Sequence, residues 1–191
     1  MGCKLFLRVA FYNGLVALSR EKILDTAFDL LSRYGLADLS MLRRLATELG
    51  VAPGALYYHV KNKQELLASL ASRMVRGVEF SGSMAQHRLL AGARELYAPV
   101  ARVRESAEVI RLALALHPQE LVFVTVARDI FAAEGLDDER ALLAAKTLLH
   151  MCVSMVEEEQ TRALLAGTEP AELPPTSYLD AARAIISGWL K

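Results

Sequence analysis

The sequence predicts an all-α chain in which a small three-helix head precedes a larger helical body. Three observations carry this. Ala and Leu dominate, Glu and Arg are frequent, β-branched runs are few and only six prolines occur in 191 residues, a composition of helix formers. Apolar residues recur at spacings of three and four almost throughout, between breaks marked by Gly or Pro. Charge is divided: residues 1–80 hold 11 Lys+Arg against 7 Asp+Glu, a net of +4, and residues 81–191 hold 11 against 15, a net of −4. The overall charge is zero, but a basic head on an acidic body suits a head that meets a polyanion. Hydrophobic residues make up 53% of the chain and the mean hydropathy is +0.26, ample material for a core. No stretch of 18 residues without charge or helix breakers indicates a membrane span. Cys3 and Cys152 lie far apart and read as free thiols of a reducing cytosol.

Residues 1–17 are basic and apolar and read as a mobile arm, or as an extension from an upstream start codon. Arg8 and Asn13 interrupt the apolar run and no cleavage site precedes Ser19. The Gly2 acylation pattern fails at Phe6. From Ser19, an N-cap followed by Glu21 in the first turn, Ile23, Ala27, Leu30, Leu31 and Tyr34 recur at helical spacing until Gly35 closes the run. A second, short helix spans Ser40 or Met41 to Leu49, with Leu45, Ala46 and Leu49 inward. A third starts at Pro53, where a missing N–H costs nothing, and continues to about His59. Lys61-Asn62-Lys63 punctuates, and a fourth helix runs from Lys63 to Glu79. Ser81-Gly82-Ser83 reads as a hinge. Helices are expected over 84–98, 104–116, 119–134, 137–165 and 177–190, with breaks at Pro99, His117-Pro118, Gly135 and Gly167–Pro175.

The second and third helices, joined by a tight Gly-containing turn, have the spacing of a helix-turn-helix. Ala46 is small enough for close approach, Gly50 permits the turn, Val51 plugs the junction, and Leu56 and Val60 anchor the second helix of the pair. A generic three-helix core meets the same spacing. The identities go further. Ala46-Thr47-Glu48-Leu49-Gly50-Val51, followed by Gly54-Ala55-Leu56-Tyr57-Tyr58-His59-Val60-Lys61-Asn62-Lys63-Gln64-Glu65-Leu66-Leu67, resembles the N-terminal domain of the TetR family of repressors over about 50 residues, Leu56 to Leu67 most specifically.

That resemblance implies an N-terminal helix-turn-helix DNA-binding domain at 18–66 and a helical regulatory, ligand-binding and dimerisation domain at 67–191. It implies that Tyr57, Tyr58 and His59 project toward phosphates and base edges, and that Lys63 binds a phosphate at the N-terminus of the fourth helix. Arg43 falls where the family often places a base-reading arginine. The match departs at three points. Met41 stands where a hydroxyl cap is usual, with Ser40 one residue further back as if Leu42 were inserted. Ala52 replaces the cap of the recognition helix. Ala52, Pro53, Gly54 and Ala55 offer no side-chain hydrogen bonds, so readout there is apolar contact with thymine methyls and close backbone approach at Gly54.

For the body, the resemblance implies a homodimer through helices 137–165 and 177–190, with apolar stripes Leu142, Leu149, Val153 and Val156 in the first and Leu179, Ala182, Ile185, Ile186 and Leu190 in the second. It implies a double-stranded DNA operator and a small-molecule inducer as partners, no cofactor, no membrane and a cytoplasmic location. Gly135 to Gln160 looks like the corresponding helix of the tetracycline-repressor class, with Ala141-Leu142, His150, Val156, Glu158 and Gln160 matching. The carboxylate matching Glu158 there helps hold a drug-bound metal. The histidine-bearing loop that completes that site has no counterpart in 99–118, so the expected ligand is another apolar or amphipathic molecule, lodged among residues 84–165 against Leu142, Leu149, His150, Met151 and Glu158. His87, His117 and His150 otherwise read as surface or satisfied core, Glu157-Glu158-Glu159 as a solvated run, and Met151 and Met155 as core or a drug-pocket wall. A paired nucleophile and base, a phosphate-cradling glycine loop and metal-ligand spacing beyond His150 with the Glu run are lacking, which argues against an enzyme. A helical interaction protein of the same fold without specific DNA binding, or a small metal-dependent helical enzyme, are the competing readings.

Overall fold

The computed structural model describes residues 18–36, 41–171 and 173–190. The expected arm at 1–17, with Cys3, and the expected cap Ser40 lie outside the described residues. Helix α1 (Arg20–Tyr34) starts where the Ser19 hydroxyl accepts the Lys22 N–H at 3.2 Å and ends at Gly35, whose φ of 70° is a left-handed position. It buries Ile23, Ala27, Leu30 and Leu31, one stripe of a 3.6-residue period. Helix α2 (Met41–Leu49) turns into α3 (Pro53–Leu56) through Gly50 at φ 67°. Leu45, Ala46 and Leu56 bury completely or nearly so, and the Val51 N–H donates back to the Ala46 carbonyl at 2.9 Å.

Helix α3 is shorter than the expected 53–59. Ala52 provides no side-chain cap, Gly54 is a weak helix former, and both His59 and Val60 donate back to the Leu56 carbonyl at 2.9 Å in a turn that brings Val60 inward. Helix α4 (Lys63–Val75) begins as expected, with the Asn62 Oδ1 accepting the Glu65 N–H at 2.8 Å. It stops short of Glu79.

The body continues with α5 (Ala85–Ala101), α6 (Ser106–Leu116), a single 3-10 turn (Pro118–Glu120), α7 (Val122–Ala133), α8 (Asp138–Ala166) and α9 (Thr176–Trp189). The break expected at Pro99 does not occur. Pro99 lies in the last turn of α5, where its missing N–H forfeits one bond, to the carbonyl of the exposed Glu95. Helix α8 runs 29 residues, from the Asp137 cap, which accepts the Arg140 N–H at 2.9 Å, to Gly167 at φ 66°.

The segment expected as a hinge at Ser81–Ser83 is fastened at its near end. The Phe80 ring lies 5.2 Å from that of Phe123 and covers Gly92 of α5, where an added Cβ would meet three ring carbons, Cζ at 2.8 Å. The Arg88 guanidinium donates to the Phe80 carbonyl at 3.4 Å. One buried cluster runs from Ile23 in the head to Ile186 in the body without interruption. The expected domain boundary at 66/67 falls inside α4, which packs on α1 on one side and on α6, α5 and α7 on the other.

The α5–α8–α9 interior holds two tyrosines edge to face, with centroids 5.2 Å apart. Tyr178 donates to the Ala93 carbonyl at 2.7 Å. The Tyr97 hydroxyl is also buried but finds no hydrogen-bond partner among the described residues. Burial, chiefly, raises the pKa of both phenols, and pushes the neighbouring Cys152 thiol up to about 12. Among the described residues, no helix is long and apolar enough to cross a membrane.

Two stability outcomes follow from this packing. Gly92→Ala is expected to cost about 1–3 kcal/mol through overpacking against Phe80, measured by urea unfolding; an unchanged midpoint would show that the ring moves aside freely. Tyr97→Phe removes an unsatisfied buried hydroxyl and is expected to stabilise by about 1 kcal/mol, read as a Tm increase of about 2–4 °C. A lower Tm would mean that the hydroxyl is bonded in solution.

Candidate nucleic-acid interface

Buried Leu45, Ala46, Leu56 and Val60 tie α2 and α3 into the core from inside, α2 against α1 and α3 against α2. What they leave outside is specific. Ala52, Pro53 and Gly54 are exposed and Ala55 is half-buried. In the turn after α3, Tyr57 is 57% and Tyr58 90% exposed, large aromatic surfaces that the fold does not use. His59 is half-buried, and Lys61 is exposed beside it.

Gly54 is informative because folding does not require it. Its φ is not positive, and nothing lies within 4 Å of a Cβ built on it. A glycine here weakens the helix by about 1 kcal/mol relative to alanine. Gly50, in contrast, needs its left-handed φ for the turn. Among the described residues, the missing side chain at Gly54 leaves open space on this surface.

The cations divide by direction. Arg43 is exposed on α2, with its carbonyl accepting the Thr47 hydroxyl at 3.0 Å. Arg44 turns back onto α1, its guanidinium 4.3 Å from the Tyr34 ring centroid. Lys63 is half-buried in the first turn of α4. It lines a depression of about 480 Å³ with Leu36, Leu67, Val109, Arg111 and Leu112, so its backbone is set at the seam between head and body.

The five body residues singled out from the sequence are not gathered into one wall. Leu149 is fully buried, Leu142 and Met151 are half-buried, and His150 and Glu158 are exposed. Glu158 accepts from Arg162 at 2.7 Å. The His150 pKa is lowered by desolvation first and then by the charges of Lys146 and Arg111. Of the expected dimer stripes, Leu149, Val153, Val156, Ala182 and Ile186 are buried in the chain's own core. Leu142, Leu179, Ile185 and Leu190 are half-buried, and Leu143 and Leu165 are exposed on α8.

Sequence reasoning missed the head–body seam, because its contacts join residues far apart in the chain. Beside the depression at Lys63 lies a second cleft of about 440 Å³, bordered by Ser32 of α1, Arg102, Arg104 and Glu105 of the α5–α6 turn, and Glu157 and Gln160 of α8. Arg111 and Glu157 form a bidentate pair at 2.6 and 2.9 Å across α6 and α8. The hydrogen bond from that guanidinium holds the Glu157 carboxyl below its ordinary pKa. His117 Nε2 lies 3.1 Å from Glu65 Oε1, joining the end of α6 to the start of α4. Among the described residues, no group of three or more His, Cys, Asp and Glu is placed to hold a metal ion.

Among the described residues, a short helix pair with the geometry of a helix-turn-helix precedes a body of longer helices, the arrangement of a DNA-binding regulator. Comparison with known proteins agrees. The model for bacterial regulatory proteins of the tetR family matches residues 23–70. Tetracycline repressor protein class D of Escherichia coli is 31% identical over 172 residues, 84% of this chain and 77% of that protein. BioQ of Mycobacterium smegmatis has 25% identity and a TM-score of 0.76 over 91% of this chain and 98% of its own. A structure of BioQ with its double-stranded DNA operator, also 25% identical, gives 0.72 over 91% and 99%. A single-residue variant of TetR from Acinetobacter baumannii, in complex with minocycline, shares the fold at 24% identity, with a TM-score of 0.71 over 90% and 93%. The chain belongs to the tetR family of bacterial regulatory proteins.

Proposed function

We propose that this regulator represses transcription as a homodimer on a palindromic operator, and that a small apolar or amphipathic inducer releases it. The observation that carries the DNA-binding part is the exposed Ala52–Ala55 edge with Tyr57 and Tyr58, where Gly54 serves no folding purpose. Residues 18–66 act as the reading head and 67–191 as the regulatory and dimerising body, working in the cytoplasm without catalysis.

The division of labour follows from side-chain chemistry. Arg43 reads a base, Tyr57, Tyr58 and His59 contact phosphates and base edges, and Lys63 holds a phosphate with the dipole of α4 behind it. Ala52, Pro53, Gly54 and Ala55 lie against thymine methyls. Dimerisation uses the outer sides of α8 and α9, where Leu143, Leu179 and Ile185 remain after the core has taken its share. The minocycline complex of the Acinetobacter protein and the operator complex of BioQ support both partner classes. The inducer is taken up in the body among residues 84–165, with α8 carrying Leu142, Leu149, His150, Met151 and Glu158.

Fluorescence titration of the duplex upstream of the chain's own reading frame, over a salt series, tests this reading. Binding is expected to be sequence-selective and to weaken linearly with log salt. Arg43→Ala should lose about 1–3 kcal/mol of base discrimination, whereas Lys63→Ala should weaken all sequences alike and lower the salt slope by about 1 for each phosphate no longer held. Gly54→Leu should leave the fold intact, raising stability by up to about 1 kcal/mol because leucine is the better helix former, and still abolish selective binding. Wild-type affinity in Gly54→Leu would remove this edge from the interface.

A further inference from the structure

The turn between α5 and α6 contains Glu105, the non-glycine residue with a positive φ among the described residues, at φ 56° and ψ 21°. A side chain in this left-handed region costs of order 1 kcal/mol. The surrounding structure enforces it. The buried Ser106 hydroxyl donates to the Val100 carbonyl at 2.7 Å, and the Gln160 side-chain amide of α8 donates to the carbonyls of Ala101 and Val103, each at 2.9 Å.

Held this way, Glu105 reaches out of the body to the head. Its carboxylate accepts the backbone N–H of Leu36, 69 residues away in sequence. Leu36 follows directly on the Gly35 cap of α1, and α2 begins five residues later. Gly35 is the seat for the carboxylate: a Cβ there would stand 2.8 Å from Oε2 and 2.9 Å from Oε1 and Cδ. Glycine is favoured at 35 by its φ of 70°, and the carboxylate lies over the space that a side chain there would take. The bond is charge-assisted, and Leu36 is half-buried, which strengthens it over an exposed contact.

We propose that Glu105 is a positioning residue that latches the helix-turn-helix to the body. The contact runs from α8 through Gln160 to the strained turn, and from the turn through Glu105 to the chain leading into α2. A shift of α8 or of the turn, whatever drives it, is transmitted to the head at Leu36. Its effect on operator binding rests on the function proposed above; the latch itself does not.

Two variants test it. Glu105→Gly relieves the backbone and removes the carboxylate, while Glu105→Gln keeps a side-chain carbonyl of the same reach. In Glu105→Gly the Leu36 amide is expected to exchange hydrogen about ten-fold faster, the loss of about 1.4 kcal/mol of bond, with Tm close to wild type because the relieved strain offsets the lost bond, and with exchange between the two in Glu105→Gln. Operator affinity should change by about five-fold or more in Glu105→Gly, in whichever direction the latched state favours, and recover in Glu105→Gln. Unchanged exchange at Leu36 overturns the latch. Faster exchange with unchanged operator affinity overturns the positioning role. If the wild type ignores DNA, the repressor function falls, and the distance distribution between spin labels on the exposed Tyr58 and Glu134 decides instead. Broadening in Glu105→Gly supports the latch, and an unchanged distribution overturns it.

Discussion

Helix α4 belongs to two cores at once, and the rest of the molecule is arranged around that. Seven of its thirteen residues are buried, far more than one stripe of a surface helix. Head and body use the same side chains, with α1 packed on α4 from one side and α6 from the other. Separating them would expose Leu66, Leu70 and their neighbours to water, at about 1.5–3 kcal/mol for each large apolar side chain. The head therefore cannot swing freely on a linker. It moves only as far as α4 and the end of α1 allow.

Among the described residues, two polar contacts of the seam lie where such a motion begins. His117 meets Glu65 at the start of α4, and Glu105 meets Leu36 at the end of α1. A single hydrogen bond contributes only about 0.5–1.5 kcal/mol net, or somewhat more when one partner is charged, so these contacts matter more for setting an angle than for holding the fold. Phe80, packed between Gly92 and Phe123, fastens the near end of Ser81-Gly82-Ser83.

Where the determinants are local, the sequence is a good guide. Ser19, Gly35, Gly50 and the start of α4 at Lys63 were readable because a cap or a left-handed turn needs only its immediate neighbours. The exposed edge at Ala52–Ala55 was readable because a recognition helix without hydrogen-bonding side chains is conspicuous. Pro99 misled because a proline in a last turn costs one bond rather than a helix. At Ser81–Ser83 the sequence shows the small residues of a hinge but not the anchors of Phe80 beside them, which lie 12 and 43 positions away. The dimer stripes were half spent within the monomer, since α8 has an inner and an outer side and periodicity alone does not say which side meets which partner. Glu105 gave no signal, because its partner is 69 residues distant and its backbone strain is imposed by Ser106 and Gln160.

The function rests on one claim, that the surface around α3 was left bare to meet duplex DNA and that two copies present it together. Selection of bound duplexes from a random pool by the full-length chain tests it most directly. Enrichment is expected of a palindrome whose half-site centres lie one helical turn, about 10–10.5 base pairs, or a multiple of it apart. A pool that shows no enrichment, or a single asymmetric site bound by one copy, would contradict it.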